Sequence, residues 1–79
     1  MSHVTDLIEA TGRNRKELSQ MLGYASVNSL RQAESGKQTL PVEKADWLER
    51  YALMRILQAE AEVEWLEQNP PPGAKRGGG

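Results

Sequence analysis

The 79-residue chain has no cysteine, so neither a disulfide nor a thiolate metal site can staple it. Its one histidine, His3, stands near the N-terminus, where an exposed and uninvolved side chain is the ordinary expectation. No stretch approaches the roughly 20 apolar residues that span a bilayer, so no membrane partner is expected. Residues 1–12 carry Asp6 and Glu9 with neither lysine nor arginine, unlike the basic start of a signal peptide, and a cytoplasmic location is the default expectation. Carboxylates occur throughout, yet none accompanies a nucleophile, a glycine-rich phosphate loop or a metal-ligand cluster. No catalytic residue, metal or cofactor is therefore expected, and the chain reads as a non-enzyme.

A chain this short makes one domain at most, with a modest core that dimerisation would help. The formal net charge of −1 conceals an uneven arrangement. Between Thr11 and Leu40 lie Arg13, Arg15, Lys16, Arg31 and Lys37 against Glu17 and Glu34 only. Between Gln58 and Asn69 lie Glu60, Glu62, Glu64 and Glu67 with no basic residue. One end suits phosphates and the other does not; alternatively, both are ordinary solvated helix faces.

Helical punctuation is dense. Val4, Leu7 and Ile8 fall at helical spacing before Gly12, which predicts a short first helix. Asn14 with Glu17 three positions later forms a capping-box-like start, with Leu18, Met21 and Leu22 on one face until Gly23. Ser26 is placed to cap a third helix with Leu30 and Ala33 inward, ended by Gly36. Pro41 and Glu43 suit the first turn of a fourth. Neither glycine nor proline then interrupts the chain before Pro70, so residues 41–68 have the length of one helix of roughly 40 Å. A bend near Leu53 that folds the helix back on its own domain is the alternative, because the apolar phase shifts between Leu48 and Ala52. The closing NPPPGAKRGGG has no apolar periodicity. The expected division is a domain over residues 1–68 and a disordered tail over 69–79.

Two short helices joined by a tight glycine-containing turn form the helix-turn-helix unit that enters the DNA major groove. With Leu18, Leu22, Leu30 and Ala33 inside, the outer face of the third helix presents Val27, Asn28, Arg31 and Gln32, with Ser26 at its edge. Arginine suits guanine, Asn and Gln suit adenine, and an aliphatic group can touch the thymine methyl. Asn14, Arg15 and Lys16 open the second helix, where free amide hydrogens and the dipole attract an anion, and Lys37 follows the third helix in a loop. These last are expected to contact phosphates, which positions without specifying sequence.

The run ELSQMLGYASVNSLRQAESGKQTLPVEKADWL, with LGY at the turn and E-x-G-K closing the third helix, resembles Xre or phage Cro/C1-type helix-turn-helix regulators over roughly residues 4–53. The resemblance implies an all-α bundle of four to five helices of the lambda-repressor type. It implies sequence-specific binding of double-stranded DNA as a small standalone repressor of phage, antitoxin or anti-CRISPR-associated type, acting by operator occupancy and in the simplest case on its own gene. Arg15 and Lys37 would match backbone-contacting positions, and Val27, Asn28 and Gln32 base-facing ones. The turn from Gly23 to Ser26 is one residue longer than in the simplest relatives. The first helix lacks the basic residue that often pairs with the glutamate ending the third, and Glu34 is read as structural. Residues 54–68 have no counterpart in the shortest relatives.

The stripe Ala52, Ile56, Ala59, Val63 and Leu66 alternates spacings of four and three, the repeat that keeps one seam toward a partner helix. A homodimer held by that seam, on an inverted-repeat operator, is expected. Trp47 and Trp65 lie away from the basic segment and are expected in a core or interface. The competing reading is a protein-interaction module or antitoxin-type adaptor, with the acidic helix meeting a protein partner. It would more often show apolar residues on the outer face of the third helix, where only Val27 is apolar.

Overall fold

In the computed structural model, which describes residues 3–73, the chain is all-helical. The order is α1 His3–Thr11, α2 Arg15–Met21, α3 Val27–Ser35, α4 Val42–Gln58, a 3-10 turn Ala59–Ala61 and α5 Glu62–Gln68. No strand occurs among the described residues, and no helix there is long and apolar enough to cross a membrane.

Local chemistry places the first boundaries. Asn14 Oδ1 accepts the Glu17 N–H at 2.8 Å, satisfying one of the free donors at the start of α2. At the far end of α2 the Gly23 and Tyr24 amides donate back to Gln20 O and Ser19 O, at 3.1 and 2.8 Å. This paired closure requires a left-handed residue, and Gly23 supplies it at φ 87°. Gly36 and Lys37 close α3 with the same pair of bonds, to Ala33 O and Gln32 O. Ser26 precedes α3 in extended conformation but its side chain makes no capping hydrogen bond.

The core forms where the apolar faces meet. α1 lies along α4 and α2 against α3. Ile8, Leu18, Leu22, Leu30, Leu48 and Tyr51 are all but inaccessible to solvent, with Ala33, Leu40, Trp47 and Met54 buried around them. Trp47 and Tyr51, one helical turn apart on α4, stack with ring centroids 4.9 Å apart, and Trp65 tilts against both at 5.9 and 5.7 Å. Offset aromatic contacts of this kind add to the area they bury.

Trp65 reaches that position because the long helix does not continue. α4 stops at Gln58, whose φ of −145° is not helical, and after the 3-10 turn α5 folds back on the bundle. The fold-back corrects the picture of a single straight 41–68 helix, and the break falls about five residues beyond the bend considered near Leu53. A 40 Å rod would also exceed the largest dimension of the protein, 34 Å.

A polar cluster secures the reversal. Glu62 Oε2 accepts from Arg13 Nη2 and, at 2.7 Å, from the Tyr51 hydroxyl, while Oε1 accepts from Arg55 Nη1 at 2.7 Å. Arg13 Nε donates to the Tyr51 oxygen at 3.0 Å and Arg55 Nε to Thr11 O at 2.8 Å. The loop before α2, the middle of α4 and the start of α5 thus meet on one carboxylate.

Residues 69–73, expected to be disordered, are seated against the body. Trp47 Nε1 donates to Asn69 O at 2.9 Å, which gives the chain beyond α5 a fixed start. The remainder of the expected tail, residues 74–79, lies outside the described residues, as do residues 1 and 2.

Burial resists ionisation of Glu62, but the hydrogen bonds from Tyr51 and Arg13 and the charges of Arg13 and Arg55 outweigh it, holding the carboxyl below its ordinary value of 4.5. Because its pKa is depressed on folding, its stabilisation is complete above that ordinary value and is lost as pH falls through the folded one. Acid titration followed by tryptophan fluorescence should therefore show loss of stability starting below about pH 4.5. Glu62→Gln, which keeps the shape but removes the charge, should lower unfolding free energy at pH 7 by about 2 kcal/mol in urea and flatten that acid limb.

Candidate nucleic-acid interface

The structure puts the sequence-selected residues of α3 on the side of the helix away from the core. Leu30 and Ala33 are buried, and the opposite side of α3 carries Asn28 and Arg31 exposed and Val27 and Gln32 half-buried, with Ser26 exposed just before the helix. Helical geometry explains the division: 27, 28, 31 and 32 fall at spacings of one, three and four and so share a stripe. Three polar groups of two types are therefore available side by side: amides at Asn28 and Gln32 and a guanidinium at Arg31.

At the opening of α2 the three selected residues divide. Asn14 is exposed but its side-chain oxygen is engaged as the helix cap. Lys16 is exposed, and no carboxylate lies within ion-pair distance of it among the described residues. Arg15 departs from its expected role as a phosphate contact. Its Nε and Nη2 donate to the two carboxylate oxygens of Glu34 at 2.7 and 2.8 Å, a fork-to-fork pair that ties α2 to the last turn of α3. Thr5 of α1 adds a hydroxyl donor to Glu34 at 3.0 Å. Glu34 is thus structural, as expected, and the cation missing from α1 is supplied by α2. The bond from Arg15 is the main cause that holds the Glu34 carboxyl below its ordinary value, and the same bond raises Arg15 above its own.

Lys37 stands exposed after Gly36, also without an ion-pair partner among the described residues. Arg13, not among the sequence-selected site residues, is withdrawn by Glu62. Three cations in the 13–37 segment thus remain open to an external anion: Lys16, Arg31 and Lys37. Among the described residues no group of three His, Cys, Asp or Glu side chains is placed to hold a metal ion.

The stripe expected to form a dimer seam is divided by the reversal at residues 59–61. Ala52 is buried in the protomer's own core at 2% exposure, and Leu66 is half-buried against that core. Ile56, Ala59 and Val63 are exposed. Leu53 and Leu57, which the sequence reading passed over, join them, so that Leu53, Ile56, Leu57 and Val63 are each more than half exposed. Their signal in the sequence was the excess of apolar residues on α4 over what one face can bury. Nothing marked Glu62 among its neighbouring glutamates, since its selection depends on where Arg13 and Arg55 stand in space.

Comparison with protein-family models, with curated proteins and with solved structures returns no match for this chain.

The two roles of the cations separate experimentally. Arg15→Ala should destabilise the fold by about 1 kcal/mol, limited by the solvent that reaches this pair, and should return the Glu34 carboxyl toward its ordinary value. Lys16→Ala should leave stability within about 0.5 kcal/mol of the parent. Thermal unfolding, with carboxylate titration by NMR, measures both.

Proposed function

We propose that this protein is a sequence-specific double-stranded DNA-binding regulator of the helix-turn-helix kind that its sequence resembles. It reads bases through α3 and acts as a dimeric repressor by occupying an inverted-repeat operator. The observation that carries this reading is the pairing pattern of the cations. Internal carboxylates take Arg13 and Arg15, while Lys16, Arg31 and Lys37 stay exposed beside an outer α3 face made of Asn28, Gln32 and Val27. Lys16 and Lys37 serve backbone phosphates, and Asn28, Arg31 and Gln32 serve base edges. A protein-binding face at the same place would be mainly apolar.

The exposed leucines and β-branched residues of α4 and α5 support the dimer. Leu53 and Leu57 line a groove of about 390 Å³ whose walls include Met54 and Trp65, and Ile56 and Val63 are exposed on the same two helices. A second copy covering this surface removes apolar area from water on a chain with little stability to spare. A two-fold pair presents its two α3 helices about 34 Å apart, one DNA turn.

Duplex binding measured by fluorescence anisotropy should weaken steeply with salt, and Lys37→Gln should reduce the slope of log K against log salt by about 1.8 per bound dimer, one phosphate from each protomer, for every sequence tested. A folded sample that binds no member of a random duplex library at low salt would falsify the reading. Site selection from such a pool with Arg31→Ala and Gln32→Ala should relax the preference at individual base pairs, each by about 1–3 kcal/mol. For the dimer, sedimentation of the parent at tens of micromolar should give twice the protomer mass, and Ile56→Asp with Val63→Asp should give one. A parent that sediments as a monomer rules the seam out.

A further inference from the structure

Ser26 opens α3 without a side-chain capping bond, so the start of α3 lacks the local tie that Asn14 gives α2. Support comes instead from the segment after α5. Asn69 is held there three ways: its carbonyl accepts from Trp47 Nε1 at 2.9 Å, and its backbone N–H and Nδ2 donate to Trp65 O at 2.8 and 3.1 Å. Pro70, Pro71 and Pro72 come next, and their rings limit the conformational freedom that the segment gives up on docking. Gly73 then packs on the end of α2 and the turn that follows it. A β-carbon on Gly73 would stand 2.3 Å from Gln20 O, 2.8 Å from Gly23 N and 2.9 Å from Met21 O, all backbone atoms. Gln20 O accepts the Gly23 amide, so the contact falls on a bond that closes α2. The φ of Gly73 lies outside the left-handed region, unlike that of Gly23 at 87°, so close packing rather than backbone conformation calls for glycine at position 73.

The contact is reciprocal. A β-carbon on Gly23 would meet Gly73 Cα at 3.3 Å and, from α4, Lys44 Nζ at 3.7 Å, and Lys44 Nζ stands 5.3 Å from the centre of the Tyr24 ring. The turn is thus enclosed between this strap and α4. α2 packs on α3 and α5 on α4, and residues 69–73 join the two pairs. Pro71 and Gly73 border a groove that Arg13 and Glu62 also line, which puts the strap beside the carboxylate that secures α5. We propose that residues 69–73 are a latch: seated through Gly73, they rigidify the α2–α3 turn, so that the presentation of α3 depends on the fold-back of α5. The consequence for base reading rests on the DNA-binding function proposed above. Because Gly73 contributes no side chain to the core, loss of its seat opens the turn locally and leaves the bundle closed.

Amide hydrogen exchange of the full chain tests the latch. Gly73→Val, which cannot seat, should speed exchange of the Gly23 and Tyr24 amides by about tenfold or more, and that of the Leu48 and Tyr51 amides in the middle of α4 by less than about threefold. Gly73→Ala, the smallest change that adds a β-carbon, should show the same pattern and takes its place if valine prevents folding. Unchanged exchange at Gly23 and Tyr24, or an equal rise at all four amides, overturns the latch. Duplex binding tests the consequence. Gly73→Val should lower the ratio of affinity for selected over random duplex by about fivefold or more and leave the slope of log K against log salt unchanged, because α3 is misaimed while no phosphate contact is removed. A fully retained ratio overturns the link from latch to α3. A parent that binds no duplex overturns the DNA-binding function and that link with it, while the exchange pattern still decides the latch.

Discussion

Glu62 gathers three donors from two separate parts of the chain: Arg13 from the loop before α2, and Tyr51 and Arg55 from successive turns of α4. Desolvating one carboxylate is unfavourable, and the site compensates by giving it donors on both oxygens, two of them cationic. The position of the last helix depends on this meeting point. With Glu62 held, α5 lies over α4, Trp65 joins Trp47 and Tyr51, and Leu66 closes against the core. Asn69 is thereby brought to the Trp47 indole, and the proline run that follows is aimed at the α2–α3 turn. The tyrosine hydroxyl is itself pushed toward its neutral form, first by burial and then by its bond to Glu62, so it stays a donor at physiological pH.

The same pairing shapes the surface. Two glutamates, Glu34 and Glu62, neutralise the arginines nearest the opening of α2, and both arginines are turned to holding helices together. Guanidinium forks suit that role because their geometry matches a carboxylate in two bonds. The cations left open are two lysines, at the start of α2 and after α3, and Arg31 on the outer face of α3. On the DNA-binding function proposed above, the lysines would serve phosphates and the arginine a base edge.

The apolar side chains are allotted with equal economy. A bundle of this size buries about a dozen of them and leaves four large ones exposed on the C-terminal half of α4 and on α5. Scattered exposed leucines are ordinary, but these fall within residues 53–63, and Leu53 and Leu57 share a groove with Trp65. The exposed group lies on α4 and α5, elements separate from α3.

Whatever depended on neighbours in the chain was legible in the residues alone. Asn14, Gly23 and Gly36 end or begin helices through bonds within five residues, and the 3.6-residue period put Leu18, Leu22, Leu30 and Ala33 inside with Asn28 and Arg31 outside. The break at residues 58–61 carried no such mark, because its cause is not a glycine or proline but a carboxylate finding two arginines and a tyrosine up to 49 positions away. For the same reason Arg15 read as a phosphate contact until Glu34, 19 positions on, was seen to take it. The tail read as unstructured because three prolines and a glycine have no period, although Gly73 packs against the backbone at the end of α2, where a β-carbon would stand 2.3 Å from Gln20 O. Local hydrogen bonds and face periodicity are properties of sequence, whereas the choice among chemically identical carboxylates, and the seat of a residue with no side chain, exist only once distant segments are packed together.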